Sequence, residues 1–185
     1  MGFGELGAQG IEGGRALAQS LDERVFDDVE WRRSDEERLD QALAYLTKKK
    51  SAAAALHARG ITADAHLLAA WRSKTRTPDA EQQQLVQQAF RDLRRRNIAP
   101  YLTRLFNADG GTQIEIHPVN QKAVDARHRR NLRIRRKNIW RWNPVIAAWA
   151  RQDSPEMEHL WQDLMSEMDS GHRSYHYVRH IGILG

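Results

Sequence analysis

Apolar residues recur along this chain mainly at helical spacing, and the breaks between runs are marked by caps and glycines. Leu17, Leu21, Val25 and Val29 stand four apart among Asp and Glu, which predicts an acidic amphipathic helix from about Ala16 to Trp31, placed to cover the core or mask a basic centre. Ser34 with Glu37 three positions on is a capping-box signature ahead of Leu39, Leu43 and Leu46, so a second helix runs toward Lys48-Lys49-Lys50 at the negative end of its dipole. Ser51 to Arg59 is short and alanine-rich. After Gly60-Ile61-Thr62, residues Ala63 to Lys74 carry Leu67, Leu68 and Trp71 on one face. Thr77 as N-cap with Pro78 and Asp79 opens a helix holding Val86, Phe90 and Leu93, and Ile98 to Phe106 reads as a further helix starting near Pro100.

The period then changes. Thr112 to His117 alternates and reads as a strand, as does Leu132 to Arg135. Trp142, Val145, Ile146 and Trp149 fall on one helical stripe. Met157, Leu160, Trp161, Leu164, Met165 and Met168 form another, introduced by a Ser154 cap and Pro155 and ended by Ser170-Gly171, so these two helices pair as a hairpin. The tail SYHYVRHIGIL suits an edge strand. The pattern predicts a mainly α fold: a helix-turn-helix core with a small β-ribbon and a C-terminal helical hairpin. Its expected segments are a flexible Gly-rich lead over 1–15, a helical core over 16–110, a small basic β element over 111–137 and a Trp-rich hairpin and tail over 138–185.

Composition narrows the chemistry. A chain of 185 residues with 41% apolar and 29% charged side chains has enough sequence for one domain or two small ones. Without cysteine, disulfides, Cys-ligated zinc, iron–sulfur clusters and thiol nucleophiles are excluded. The first fourteen residues hold six glycines, no Lys or Arg and no apolar run, unlike a signal peptide or membrane anchor, so a cytoplasmic location is expected. HExxH, Walker, GxSxG and paired-carboxylate patterns are missing, and no enzyme and no cofactor are expected. His172, His176 and His180 recur every fourth residue, but the segment reads as strand. Positions four apart on a strand lie about 13 Å from one another, too far to share a metal ion.

Charge changes the picture most. Residues 1–47 carry 5 basic and 11 acidic side chains, residues 48–151 carry 22 and 7, and residues 152–185 carry 2 and 6. A centre of net +15 between acidic flanks attracts a polyanion, because neutralising phosphates with Lys or Arg releases condensed counterions. Nucleic acid is the expected partner. Residues 51–78 meet the needs of a helix-turn-helix: Ala53, Ala54 and Ala55 for close crossing, Gly60 for the turn, and Leu67, Leu68 and Trp71 to anchor the second helix. Asp64, His66, Arg72, Ser73 and Lys74 are then left for the groove, with Lys48, Lys49, Lys50, Arg76, Arg94, Arg95 and Arg96 as flanking cations. The densest basic run supplies Arg127, Arg129, Arg130, Arg133, Arg135, Arg136 and Lys137, as a phosphate-clamping strand or an arm ordered on binding. Trp140, Trp142, Trp149 and Trp161 suit a core better than a stacking platform for unpaired bases.

From Tyr45 to Lys137 the chain resembles the terminal proteins that cap the telomeres of linear actinobacterial chromosomes and plasmids. The resemblance lies in the order and spacing of YLTKKK, SAAAALHARGITADAHLLAAWRSKTRTP, RDLRRRN, GGTQIEIHP and DARHRRNLRIRR. It implies binding to telomeric DNA ends, covalent attachment through a hydroxyl to a 5′ end, and partnership with a DNA polymerase and a telomere-associated protein. The chain departs from the common helix-turn-helix spacing of about nine in having eleven residues from Gly60 to Trp71, and from the family in having no Ser, Thr or Tyr over 113–138; Thr112 is the nearest hydroxyl, with Tyr101 and Thr103 before it. A repressor-type transcriptional regulator, able to dimerise on symmetric sites, has much the same core. A protein–protein adaptor built on the acidic flanks and tryptophan helices is the reading from another class.

Overall fold

The computed structural model describes residues 6–30, 34–62, 64–168 and 172–184. The expected mainly α fold with a small β element is observed: seven α-helices accompany a four-stranded antiparallel sheet of order β1-β4-β2-β3 among these residues. The strands are β1 (Ile11–Glu12), β2 (Thr112–Pro118), β3 (Arg135–Ile139) and β4 (Tyr177–Leu184). The helices are α1 (Gly13–Glu30), α2 (Asp35–Leu46), α3 (Ala52–His57), α4 (Ala65–Arg72), α5 (Ala80–Asn107), α6 (Asn143–Arg151) and α7 (Ser154–Ser166). The expected helix limits at Trp31 and Ala63, and the Ser170-Gly171 stop, lie outside the described residues. No described helix is long and apolar enough to cross a membrane.

By contact the chain forms two compact units, one made of two separate segments, Met1–Arg24 with Ala99–Gly185, and one continuous, Val25–Ile98. In the first, alternation along β2 puts Ile114 and Ile116 on one face with Ile181 of β4 opposite Ile116, and all three are fully buried. Ala16, Leu17 and Leu21 of α1, Met157, Trp161 and Met165 of α7, and Trp142 and Trp149 join this core. Trp142 packs against Phe106 with ring centroids 4.8 Å apart. Of the four tryptophans singled out in the sequence, Trp140 alone is exposed, at 68%. The glycine-rich lead is drawn into the sheet: Gln9 bridges Asn120, and β1 pairs with Val178 and Tyr177 of β4. β4 therefore lies inside the sheet and not at its edge. The second basic strand begins at Arg135, three residues later than the alternation suggests, because Ile139 and not Ile134 enters the core; Ile134 is 53% exposed.

In the unit Val25–Ile98 the core is built from Phe26, Leu43, Leu46, Leu56, Leu68, Trp71, Val86 and Phe90. The Ser34–Glu37 capping box forms as expected. Two other caps move. Asp79, not Thr77, starts α5, exchanging hydrogen bonds with Gln82 at 2.8 and 3.1 Å. Asp153, not Ser154, caps α7 by accepting from the Glu156 amide. In both cases the capping carboxylate adds a negative charge at the positive end of the helix dipole, which the nearby hydroxyl lacks. α5 also runs unbroken through Pro100, where a separate helix was expected.

Candidate nucleic-acid interface

α3 closes with a Schellman turn. Gly60 takes φ +83°, its amide donates to the His57 carbonyl, and the Ile61 amide reaches back to Leu56 at 3.0 Å while Ile61 itself is buried. The link from Ala58 to Asp64 is longer than the three to four residues usual in helix-turn-helix turns. Asp64 then caps α4, accepting from the Leu67 amide at 2.8 Å, so its carboxylate is committed to the helix and not to the groove. Leu68 and Trp71 anchor α4 inward, and α4 packs against α2. His66, Ala69, Arg72 and Ser73 are left exposed.

The C-terminal end of α4 repeats the Schellman pattern with an unusual residue. Lys74 occupies the left-handed position at φ +59°, with its amide on Trp71 and the Thr75 amide on Ala70. A non-glycine residue there costs about 1 kcal/mol. Its ammonium is held by Glu36 at 2.6 Å and Asp40 at 3.5 Å, both from the acidic face of α2. The hydrogen bond from Lys74 lowers the Glu36 pKa and raises that of Lys74. Both groups are therefore charged at neutral pH, and the pair is lost as pH falls through the depressed Glu36 value or rises through the elevated Lys74 value. Lys74 is thus masked where the sequence suggested it was free. Converting Glu36→Gln together with Asp40→Asn should release it and raise affinity for duplex DNA several-fold at low salt. Mobility shifts at low and high salt check this, and unchanged affinity at both would mean that Lys74 does not reach DNA.

Between the end of α2, the start of α3 and α4 lies a groove of about 670 Å³. Leu46, Ala52, Ala53, Leu68 and Ala69 line it with apolar surface, and Lys49, Lys50, Arg72 and Ser73 supply its polar groups along with Asp64 and Thr47. Lys49 rests over the Tyr45 ring at 5.3 Å, and an Arg72 N–H lies 3.4 Å from the Thr47 hydroxyl. Ser73 bonds back to Ala70 at 3.2 Å. Lys48 and Arg76 are exposed nearby in the chain.

The RDLRRRN run behaves differently. Arg94 donates to the Val25 carbonyl at 2.8 Å and stacks on Phe26 and Phe90. Arg95 is 7% exposed, lies over Phe26 and pairs with Asp92, which also holds Arg59. A helix turns 100° per residue, so consecutive arginines cannot all face outward, and here two complete the core while Arg96 remains exposed.

The second basic set belongs to the unit containing the sheet. Arg127, Arg130, Arg133 and Arg135 are exposed, Arg127 pairing with Asp125 at 3.3 Å. Arg136 sits opposite Glu115 and pairs with it at 2.9 Å, and its hydrogen bond is the main reason the Glu115 pKa is lowered. Lys137, with its side chain 18% exposed, pairs with Glu167 at 2.7 Å. Arg129 donates to the Val124 and Lys122 carbonyls at 2.8 and 3.1 Å and braces its own loop. The run is thus a series of cations on a strand and loop, some paired and some without an ion-pair partner among the described residues. Among the described residues, no three metal-ligating side chains come together.

Comparison with protein families, with characterised proteins and with solved structures finds no match to this chain.

Proposed function

We propose that the chain is a DNA-binding protein that lays α4 against duplex DNA, with Lys49, Lys50 and Arg72 of the adjoining groove on the phosphates. The observation that carries this reading is the placement of those three cations along one groove beside the outward face of a helix anchored by Leu68 and Trp71, with Leu67 half-buried. The resemblance to terminal proteins of linear replicons points to DNA ends as the target, with a polymerase and a telomere-associated protein as partners and the nucleoid as the location. A repressor-type regulator is the second reading. It is favoured by Thr112, the hydroxyl that precedes the basic segment most closely in sequence, because it is half-buried and donates to the Phe106 carbonyl at 3.0 Å instead of standing free for covalent linkage.

Mobility shifts of the full chain against blunt duplex, overhang, hairpin, internal palindrome and RNA, at several salt concentrations, test the proposal. Binding to DNA should weaken linearly in log–log salt, with ended or overhang DNA preferred. Preference for the internal palindrome selects the regulator. No DNA binding at low salt, or RNA bound as tightly as DNA, overturns both readings.

A further inference from the structure

Pro118 ends the regular pairing of β2, because it has no amide hydrogen to give the ladder. His117 lies opposite His180 but Pro118 lies opposite Val178, so Arg179 is the extra residue of a bulge. A bulge re-aims the side chain it carries. Here Arg179 borders a cavity of about 440 Å³ whose wall also includes His117, Lys122, Arg129, Pro118 and Ile134.

The loop that forms the far wall is held by its own bonds. Gln121 and Arg130 exchange hydrogen bonds at 2.8 and 2.9 Å, Val124 is buried beneath, and the Arg129 guanidinium is fixed by two carbonyls. Those carbonyls use only part of the guanidinium's donors, so the rest of the planar fork stays available in a set orientation. Lys122 and Arg179 have no ion-pair partner among the described residues, and no carboxylate lines the cavity. Glu115, the acid on that face of the sheet, is already bonded to Arg136 and to His117.

Cations converging without a counter-charge repel one another until an anion arrives, and preorganised Arg forks suit the geometry of phosphate. The remaining wall, Pro118 and a half-exposed Ile134, is apolar and suits a flat organic face. The volume falls within the range of about 300–1,000 Å³ typical of small-ligand sites. We propose that this cavity is a nucleotide site, with Arg129, Arg179 and Lys122 holding a phosphate and the Pro118–Ile134 wall taking the base. The phosphate can come from a free nucleotide or from a nucleotide within a single strand. The site stands apart in chemistry from the α4 groove and does not depend on that groove binding DNA.

Titration of the full chain with a fluorescent deoxynucleoside monophosphate and with single-stranded decathymidylate, using inorganic phosphate and unphosphorylated nucleoside as competitors, provides the test. Saturable binding is expected, displaced by phosphate and only weakly by the nucleoside, which keeps the base contact but lacks the charge. Arg179→Ala should weaken it by about tenfold or more, the loss of one charge-assisted contact. Lys122→Ala, an exposed position that leaves the loop's bonds intact, should act in the same direction. Decathymidylate bound much more tightly than the monophosphate, with the same loss on Arg179→Ala, makes the strand the source; equal affinities make it the free nucleotide. Lys49→Ala with Lys50→Ala should leave nucleotide binding unchanged, which separates this site from the duplex groove. Absence of saturable binding to either probe, or wild-type binding in the folded Arg179→Ala and Lys122→Ala proteins, overturns the inference.

Discussion

Gly14→Ala should lower the thermal midpoint of the chain by roughly 6–12 °C, and Gly13→Ala by somewhat less. Both residues open α1 where it meets α7. A Cβ on Gly14 would stand 2.6 Å from the backbone of Glu158 and of Met157, atoms that yield only if the two helices separate. The Gly14 amide also donates to the Glu158 carboxylate at 2.9 Å, a charge-assisted bond at the positive end of α1 that separation would break. On Gly13 the added carbon would overlap the Trp161 indole, which is fully buried and donates to the Tyr175 carbonyl at 3.1 Å. The ring must shift and leave that carbonyl, so overpacking of about 1–3 kcal/mol is joined by a lost hydrogen bond. Two further substitutions calibrate the scale. Gly60→Ala meets open space but must hold φ +83°, a cost of about 1 kcal/mol, while a Cβ at Gly182 meets only Glu115 at an ordinary 3.8 Å. Circular-dichroism melts should rank the losses Gly14, Gly13, Gly60, Gly182. A Gly14→Ala protein melting with Gly182→Ala would mean that α1 and α7 do not approach as described.

Those glycines also explain where the sequence misleads. Six glycines in fourteen residues look like a flexible lead, yet Gly10, Gly13 and Gly14 are small because the backbone of β4, the Trp161 ring and α7 come close to them. Once the lead is drawn in, β1 pairs with Tyr177 and Val178 at the start of β4, and a tail that reads as an edge strand takes an inner place in the sheet order. The helical periods of α2, α6 and α7 are legible because each has one apolar stripe against one core. Pro100 hides the continuity of α5. It removes a single bond to the Arg96 carbonyl, and both residues are exposed, so water can satisfy what the ring cannot. In the candidate interface, Lys49, Lys50 and Arg72 follow from helix phase and cap position, whereas the fates of Lys74, Arg94 and Arg95 depend on partners far along the chain. Lys122 and Arg179 stand 57 positions apart, and only the bulge that Pro118 imposes brings them to one cavity.

Removing the groove's cations should separate the two kinds of arginine that the sequence presents alike. The combined variant Lys49→Ala, Lys50→Ala, Arg72→Ala loses three candidate phosphate contacts. Each contact contributes about 0.9 to the log–log dependence of affinity on salt, so the slope should flatten by about 2.7 and affinity near 0.1 M salt should fall a few hundredfold. All three side chains are exposed, and the variant should melt close to the parent protein. Arg95→Ala should do the reverse. Its guanidinium lies over Phe26 and beside Asp92 in a nearly dry setting, and truncation removes packing as well as a charge partner. A loss of about 1–3 kcal/mol is expected, or roughly 3–10 °C in the melt, with the salt slope of DNA binding unchanged wherever the protein remains folded. Salt titrations of duplex affinity and parallel melts on the two variants read both axes. If Arg95→Ala flattened the slope while the triple variant left it intact, the DNA contact would lie on the RDLRRRN face of α5, and α4 would be a packing helix.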